Sequence, residues 1–271
     1  MPAWFAENYG YGLTPLLATF VFVFGAVIGS FLNALLWRLR TGESVAKGRS
    51  YCPCCHHTLA ARDLVPIFSY LFLGGKCRYC RKGIHPSYVM VELAVGVLFT
   101  VFAVRAFAEP VLSDAALAGL LRDWYAAAVL TVVFVFDLRY MIIPRSVTLP
   151  ATVILAAASF LLGTGLITIA LGLAVGAGFF FLQHLVSKGR WIGGGDINLG
   201  GLMGVLLGWP HILVAFFMAY VTGAIVGVVL LAGKRVAWKG QLPFGTFLSA
   251  ATIVTMLWGE KILTWYFHLI V

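Results

Sequence analysis

The sequence predicts an all-α polytopic membrane protein with about eight transmembrane helices and a small cytosolic insertion between the first and second. Three observations carry this. Of 271 residues, 61% are hydrophobic and only 11% are charged, whereas soluble domains average nearer ~25% charged. Apolar runs long enough to cross about 30 Å of hydrocarbon recur along the chain. The basic residues fall in alternate loops, as the positive-inside bias requires. The formal net charge of +9 is therefore read as topology; the bilayer is the expected partner and no nucleic acid is.

The first span is expected over residues 12–37. Its apolar run is longer than a signal-peptide core and has no basic stretch before it, so it reads as a span rather than a cleavable signal. Gly25-Ala-Val-Ile-Gly29 inside it has the spacing of a close helix–helix contact, and Ser30 and Asn33 are polar groups near its inner end.

Residues 38–85 are polar and basic. Arg38, Arg40, Lys47, Arg49, Arg62, Lys76, Arg78, Arg81 and Lys82 face only Glu43 and Asp63, which puts the segment in the cytosol. All five cysteines lie here. Cys52-x-x-Cys55 and Cys77-x-x-Cys80 have the spacing of two zinc knuckles, four thiolates for one tetrahedral structural Zn²⁺. Cys54 is then a spare thiol, and His56 and His57 are exposed loop residues. Residues 63–73, between the knuckles, read as a short amphipathic segment on the membrane surface.

The remaining residues, 86–271, read as a seven-helix membrane domain. The second span, 86–107, carries Glu92, which either serves function or pairs with a basic neighbour. An outer loop over 109–123 precedes a third span from Trp124 to Asp137. Arg139 and Arg145 mark a cytosolic loop, and Pro144 opens the fourth span. Thr164 marks an outer turn, and the fifth span ends near Val186. Lys188 and Arg190 return the chain to the cytosol. A short sixth span runs from Asp196 to Gly208, a seventh over 211–232, then a basic loop with Lys234, Arg235 and Lys239. Pro243-Phe-Gly245 opens the eighth. Both termini are expected outside, and no repeat is apparent.

Two acids stand out. Asp196 follows Gly193-Gly194-Gly195 at the mouth of the sixth span, and Asp137 closes the third at matching depth. An ionisable group at membrane depth is costly and marks function by default. Two carboxylates brought together share a proton, one acting as base and the other as acid, which is aspartic-protease chemistry. Gly193 and Gly195 are expected to let the backbone unwind and to admit a substrate chain. The rival readings are a proton-coupled transporter using Asp137 and Asp196 as relays, and a zinc-bearing scaffold.

Taken in order, these motifs resemble the bacterial type IV prepilin peptidases: Gly25 to Asn33, Arg49-Ser50-x-Cys52-Pro53-x-Cys55, Gly75-Lys76-Cys77-Arg78-x-Cys80, Glu92, Asp137 through Pro144, Gly193-x-Gly195-Asp196 and Pro243-Phe244-Gly245. The resemblance implies an inner-membrane aspartic endopeptidase of the GxGD type, with Asp137 and Asp196 as its catalytic pair. It further implies prepilin or pseudopilin substrates cut at the cytosolic face, zinc on the four knuckle cysteines, and a second, S-adenosylmethionine-dependent N-methyltransferase activity. Asn198 departs from the family pattern, standing where a basic residue is common.

Overall fold

The computed structural model describes residues 13–45, 47–108, 113–233 and 242–270; the loop expected to carry Lys234, Arg235 and Lys239 lies outside them. Among the described residues there are nine α-helices. In chain order they are α1 (Pro15–Thr41), α2 (Phe68–Phe72), α3 (Ser87–Ala106), α4 (Asp114–Tyr140), α5 (Arg145–Leu161), α6 (Leu166–Ser187), α7 (Gly194–Leu207), α8 (His211–Ala232) and α9 (Phe244–Ile270). Five of these, α1, α3, α4, α6 and α8, are long and apolar enough to cross a membrane, while α5 and α7 are apolar but shorter. The chain divides into two compact units, Met1–Ala128 and Val129–Val271, with α4 running across the division.

In the first unit, α1 begins where the Thr14 hydroxyl accepts the Leu17 N–H, with Pro15 in the first turn, and it ends at Gly42 at φ 75°. That left-handed value suits glycine. α1 and α3 touch through their small residues. A Cβ on Gly25 would stand 2.9 Å from Gly96 Cα, and one on Gly29 would stand 2.7 Å from Glu92 Cα. Van der Waals contact of this kind drives helix association in lipid. The start of α4 joins this pair through Trp124, which stacks on Phe99 and donates its indole N–H to the Phe99 carbonyl at 2.9 Å.

Two expectations are corrected here. The loop placed over 109–123 is helical from Asp114, because the Ser113 hydroxyl caps the Ala116 N–H at 3.1 Å and Asp114 favours the first turn. Residues 63–73 do not form one segment. A 3-10 turn, Ala61–Asp63, is followed by a γ-turn in which Ile67 has φ 63° and ψ −54° and the Phe68 N–H reaches the Pro66 carbonyl. Only then does the five-residue α2 form. Pro66 has no N–H to continue a helix. The apolar outer face survives: Phe68, Leu71 and Phe72 are all exposed.

The second unit is built around α7, which is buried from Leu199 to Leu206, with α5, α6, α8 and α9 packed on it. A helix apolar on every side belongs inside a bundle. Its contact with α6 is a reciprocal glycine seam. A methyl on Gly172 would strike the Gly204 carbonyl and one on Gly204 the Gly172 carbonyl; Gly176 and Gly200 are related in the same way.

Candidate active site and metal centre

Asp137 lies in the last turn of α4 and is only 4% exposed. Its Oδ2 accepts the Thr246 N–H at 2.8 Å and the Thr246 hydroxyl at 3.2 Å, and the Gly245 N–H also donates to the carboxylate. These donors are the first turn of α9. Asp196, half-buried, is the third residue of α7, and its Oδ2 accepts the Gly193 N–H at 3.0 Å. Both carboxylates therefore sit on helix N-termini, where unpaired N–H groups and the helix dipole favour negative charge. Ile143 joins the two. A Cβ on Gly195 would stand 2.9 Å from Ile143 Cβ, and one on Gly245 2.9 Å from Ile143 Cδ1 and 3.0 Å from Asp137 Oδ2. Around this contact the two carboxylates lie close enough to act on each other electrostatically.

The backbone at the glycines before Asp196 is not unwound. None of Gly193, Gly194 and Gly195 has positive φ, and the last two already belong to α7. What they supply is space: Gly194 lies under the Arg145 guanidinium and Gly195 against Ile143. The preceding loop is braced by His184, whose Nδ1 is 2.7 Å from the Ile192 carbonyl, and by Ser187, whose hydroxyl accepts the Trp191 N–H at 3.3 Å.

Sequence reasoning passed over three polar side chains of this unit. Thr246 holds Asp137. Tyr220 feels the charge of Asp196 and donates to Gln183 Oε1 at 3.0 Å. No local signal marked them, since serines and threonines recur along the same helices, as at Ser249, Thr252 and Thr255.

In the first unit Cys52, Cys55, Cys77 and Cys80 converge, their sulfurs all within 4.8 Å of one another. The Cys52 and Cys80 sulfurs are 3.9 Å apart; tetrahedral zinc with Zn–S bonds of about 2.3 Å requires edges of about 3.8 Å. The donor set fits a closed thiolate site. The two knuckles are an internal repeat that the sequence reading overlooked. The Cys52 N–H bonds to the His57 carbonyl and the Cys77 N–H to the Lys82 carbonyl; His56 and Arg81, at positive φ, donate back to Cys52 and Cys77. The bridges Tyr51–Thr58 and Lys76–Gly83 close each loop. Cys54 is exposed; His56 stacks on Tyr51, and His57 meets Tyr79 at a tilt.

Asp63 ties this module together. Its side chain is 3% exposed and accepts from Arg78 Nε at 2.6 Å, the Tyr79 hydroxyl at 3.0 Å and the Ala60 N–H at 3.1 Å. Burial alone would push its carboxyl up; the bonds from Arg78, Ala60 and Tyr79 outweigh that and hold it below the usual carboxylate value.

Comparison with known proteins bears on both sites. Residues 23–106 match the bacterial peptidase A24 N-terminal domain, and residues 124–228 match the type IV leader peptidase family. A protein of Bacillus subtilis (strain 168), named prepilin leader peptidase/N-methyltransferase, is 31% identical over 256 residues, covering 92% of this chain and 98% of the relative. The chain belongs to the type IV leader peptidase family. Two further proteins of the same name are similar to it. One, from Aeromonas salmonicida (strain A449), is 30% identical over 94% of this chain and 96% of its own length. The other, from Myxococcus xanthus (strain DK1622), is 34% identical over 90% of this chain and 72% of its own. No solved structure matches. The first family match covers α1 from residue 23 onward, both knuckles and α3; the second covers Asp137 and Asp196.

Proposed function

We propose that the protein is a leader peptidase of the bacterial inner membrane, crossing it eight times, that removes the leader of type IV prepilins or pseudopilins at the cytosolic face. On this proposal it then N-methylates the new N-terminus. The observation that carries the reading is the pair Asp137 and Asp196, each on a helix N-terminus beside Ile143, in a chain of this family. One carboxylate, ionised, takes a proton from the water that attacks the scissile carbonyl. The other, protonated, donates to the carbonyl oxygen and then to the leaving amine. A coupled pair titrates as a unit, so the roles belong to the pair.

Zinc, held by Cys52, Cys55, Cys77 and Cys80, is structural: four thiolates leave no open position for substrate. S-adenosylmethionine supplies the methyl group for the second activity. The proton-coupled transporter reading is set aside, because relatives matched over nearly their whole length are named as peptidases. The test is incubation of a prepilin with the detergent-solubilised protein, read by mass. Loss of the leader, and gain of one methyl group when S-adenosylmethionine is added, are expected. An intact substrate across several prepilins overturns the proposal.

A further inference from the structure

α6 and α8 are both apolar enough to cross a membrane, yet each turns a polar side chain toward the other near the dyad. The Tyr220 hydroxyl donates to Gln183 Oε1 at 3.0 Å. Its ring is fixed by edge contacts with Phe179, 6.0 Å away between centroids, and with Phe244, 4.9 Å away. Phe244 opens α9, and the next two residues, Gly245 and Thr246, donate to Asp137. Tyr220 also lies within electrostatic reach of Asp196. The contact therefore borders the dyad, and the cleavage chemistry proposed above makes no use of it. The glutamine itself is only half used. A primary amide has an acceptor oxygen and two N–H donors. Tyr220 occupies the oxygen, and the Nε2 group has no acceptor among the described residues. Tyr220 is 38% exposed and Gln183 is half-buried, so these donors open onto space and not onto packed core. As a tie between two helices the contact would contribute little, since such bonds in lipid are weak on average.

A peptide cut beside apolar helices sets a matching demand. The scissile bond has to be extended to admit attack, and an extended chain leaves its backbone N–H and C=O groups unpaired. In apolar surroundings each such group is costly unless the enzyme supplies a partner. We propose that the Gln183 amide, oriented by Tyr220, donates to a main-chain carbonyl of the substrate beside the scissile bond. The inference rests on the leader-peptidase reading and adds a substrate-binding residue to it. A donor of this kind reads an unwound backbone and not a side chain, so its ligand is the extended peptide itself. Tyr220 is a positioning residue: by holding Oε1 it fixes the direction in which Nε2 points.

The test is steady-state cleavage of a synthetic prepilin peptide by the zinc-loaded full chain in detergent, with melting temperature monitoring folding. Gln183→Leu removes the donors and is expected to raise KM about tenfold, the worth of one well-made hydrogen bond. Its kcat should be nearly unchanged, the mark of lost ground-state binding. Tyr220→Phe releases the amide and should raise KM by a smaller factor. Because Tyr220 acts through Gln183, adding Tyr220→Phe to Gln183→Leu should raise KM no further. A contact that only joined two helices would lower the melting temperature in all three variants and leave KM where it was. Peptides that each carry one backbone ester near the scissile bond read the interaction from the substrate's side, since an ester carbonyl is a poorer acceptor than an amide. One position is expected whose KM penalty is present with wild type and absent with Gln183→Leu. If Gln183→Leu does not fold, Gln183→Glu carries the same test: it keeps an acceptor for Tyr220 and lacks the amide donors. KM unchanged in the folded variants, or ester penalties equal in wild type and variant at every position, overturns the inference and leaves the peptidase reading standing. Absence of cleavage by the wild type removes that reading itself.

Discussion

At Asp137 and Asp196 the same physical device recurs: a carboxylate seated on the free N–H groups of a helix start, one from its own helix and one from α9. If the two act as a general acid and base, Asp137→Asn and Asp196→Asn each keep the shape and the acceptor oxygen but lose the proton chemistry. Prepilin cleavage is expected to fall at least ~100-fold in either variant, with zinc content and melting temperature unchanged; near wild-type cleavage in one would remove that residue from the dyad. Thr246 separates positioning from chemistry. Thr246→Val deletes the hydroxyl donor to Asp137 and leaves the 2.8 Å backbone bond in place. The loss of one hydrogen bond to a charged group is worth about 1.5 kcal/mol, so a roughly tenfold fall in cleavage rate is expected, not abolition. The two aspartates stand out in the sequence because an acid at the end of an apolar run is conspicuous. Thr246 and Tyr220 do not, since nothing local distinguishes a threonine that caps another helix's carboxylate from one that bonds its own backbone.

Among the elements, the α6–α7 seam and the knuckle module each depend on contacts that can be broken singly. Gly204→Val sets a branched side chain against the Gly172 carbonyl, and overpacking of this kind costs about 1–3 kcal/mol or more. A lowered melting temperature and lost cleavage are expected. Gly178→Ala, on α6 where an added Cβ meets nothing within 4 Å, should leave both unchanged. In the knuckle module, Asp63→Asn removes the charge that Arg78 faces and should cost about 1–2 kcal/mol. The sign with pH follows from the depressed carboxyl. Its stabilisation is fully present above the ordinary value of 3.8 and is lost as pH falls through the lower folded value. The stability gap between wild type and Asp63→Asn should therefore hold constant from neutral pH to about 4.5. A gap that closes within that range would sink the assignment. The four knuckle cysteines were legible from spacing alone, but the repeat was not. It resides in backbone hydrogen bonds and positive-φ positions at His56 and Arg81, where the two side chains share nothing. The early start of α4 was hidden for another reason: a hydropathy pattern marks where a helix enters lipid, while Ser113 and Asp114 decide where it begins.

For the molecule as a whole, the expectation of a helical membrane protein with a cysteine cluster between its first two spans holds, with five helices among the described residues meeting length and composition for a membrane crossing. α7 shows why a complete count of spans is harder to read. Its 14 residues reach about 21 Å at ~1.5 Å per residue, short of the ~30 Å hydrocarbon core, so length and composition alone do not mark it as a span. The proposed orientation has a direct chemical reporter. Cys54 and Cys55 are both exposed, but Cys55 belongs with Cys52, Cys77 and Cys80 to the cluster proposed to hold zinc, which leaves Cys54 as the one thiol outside it. A membrane-impermeant maleimide should leave the protein unmodified in intact cells and add once, at Cys54, in inverted membrane vesicles. Removing zinc with a chelator should then expose further thiols among the five present. Labelling of Cys54 from outside intact cells would place the knuckles on the opposite face. That result would contradict the positive-inside reading of Arg38 to Lys82 and move the proposed cleavage site away from the cytosol.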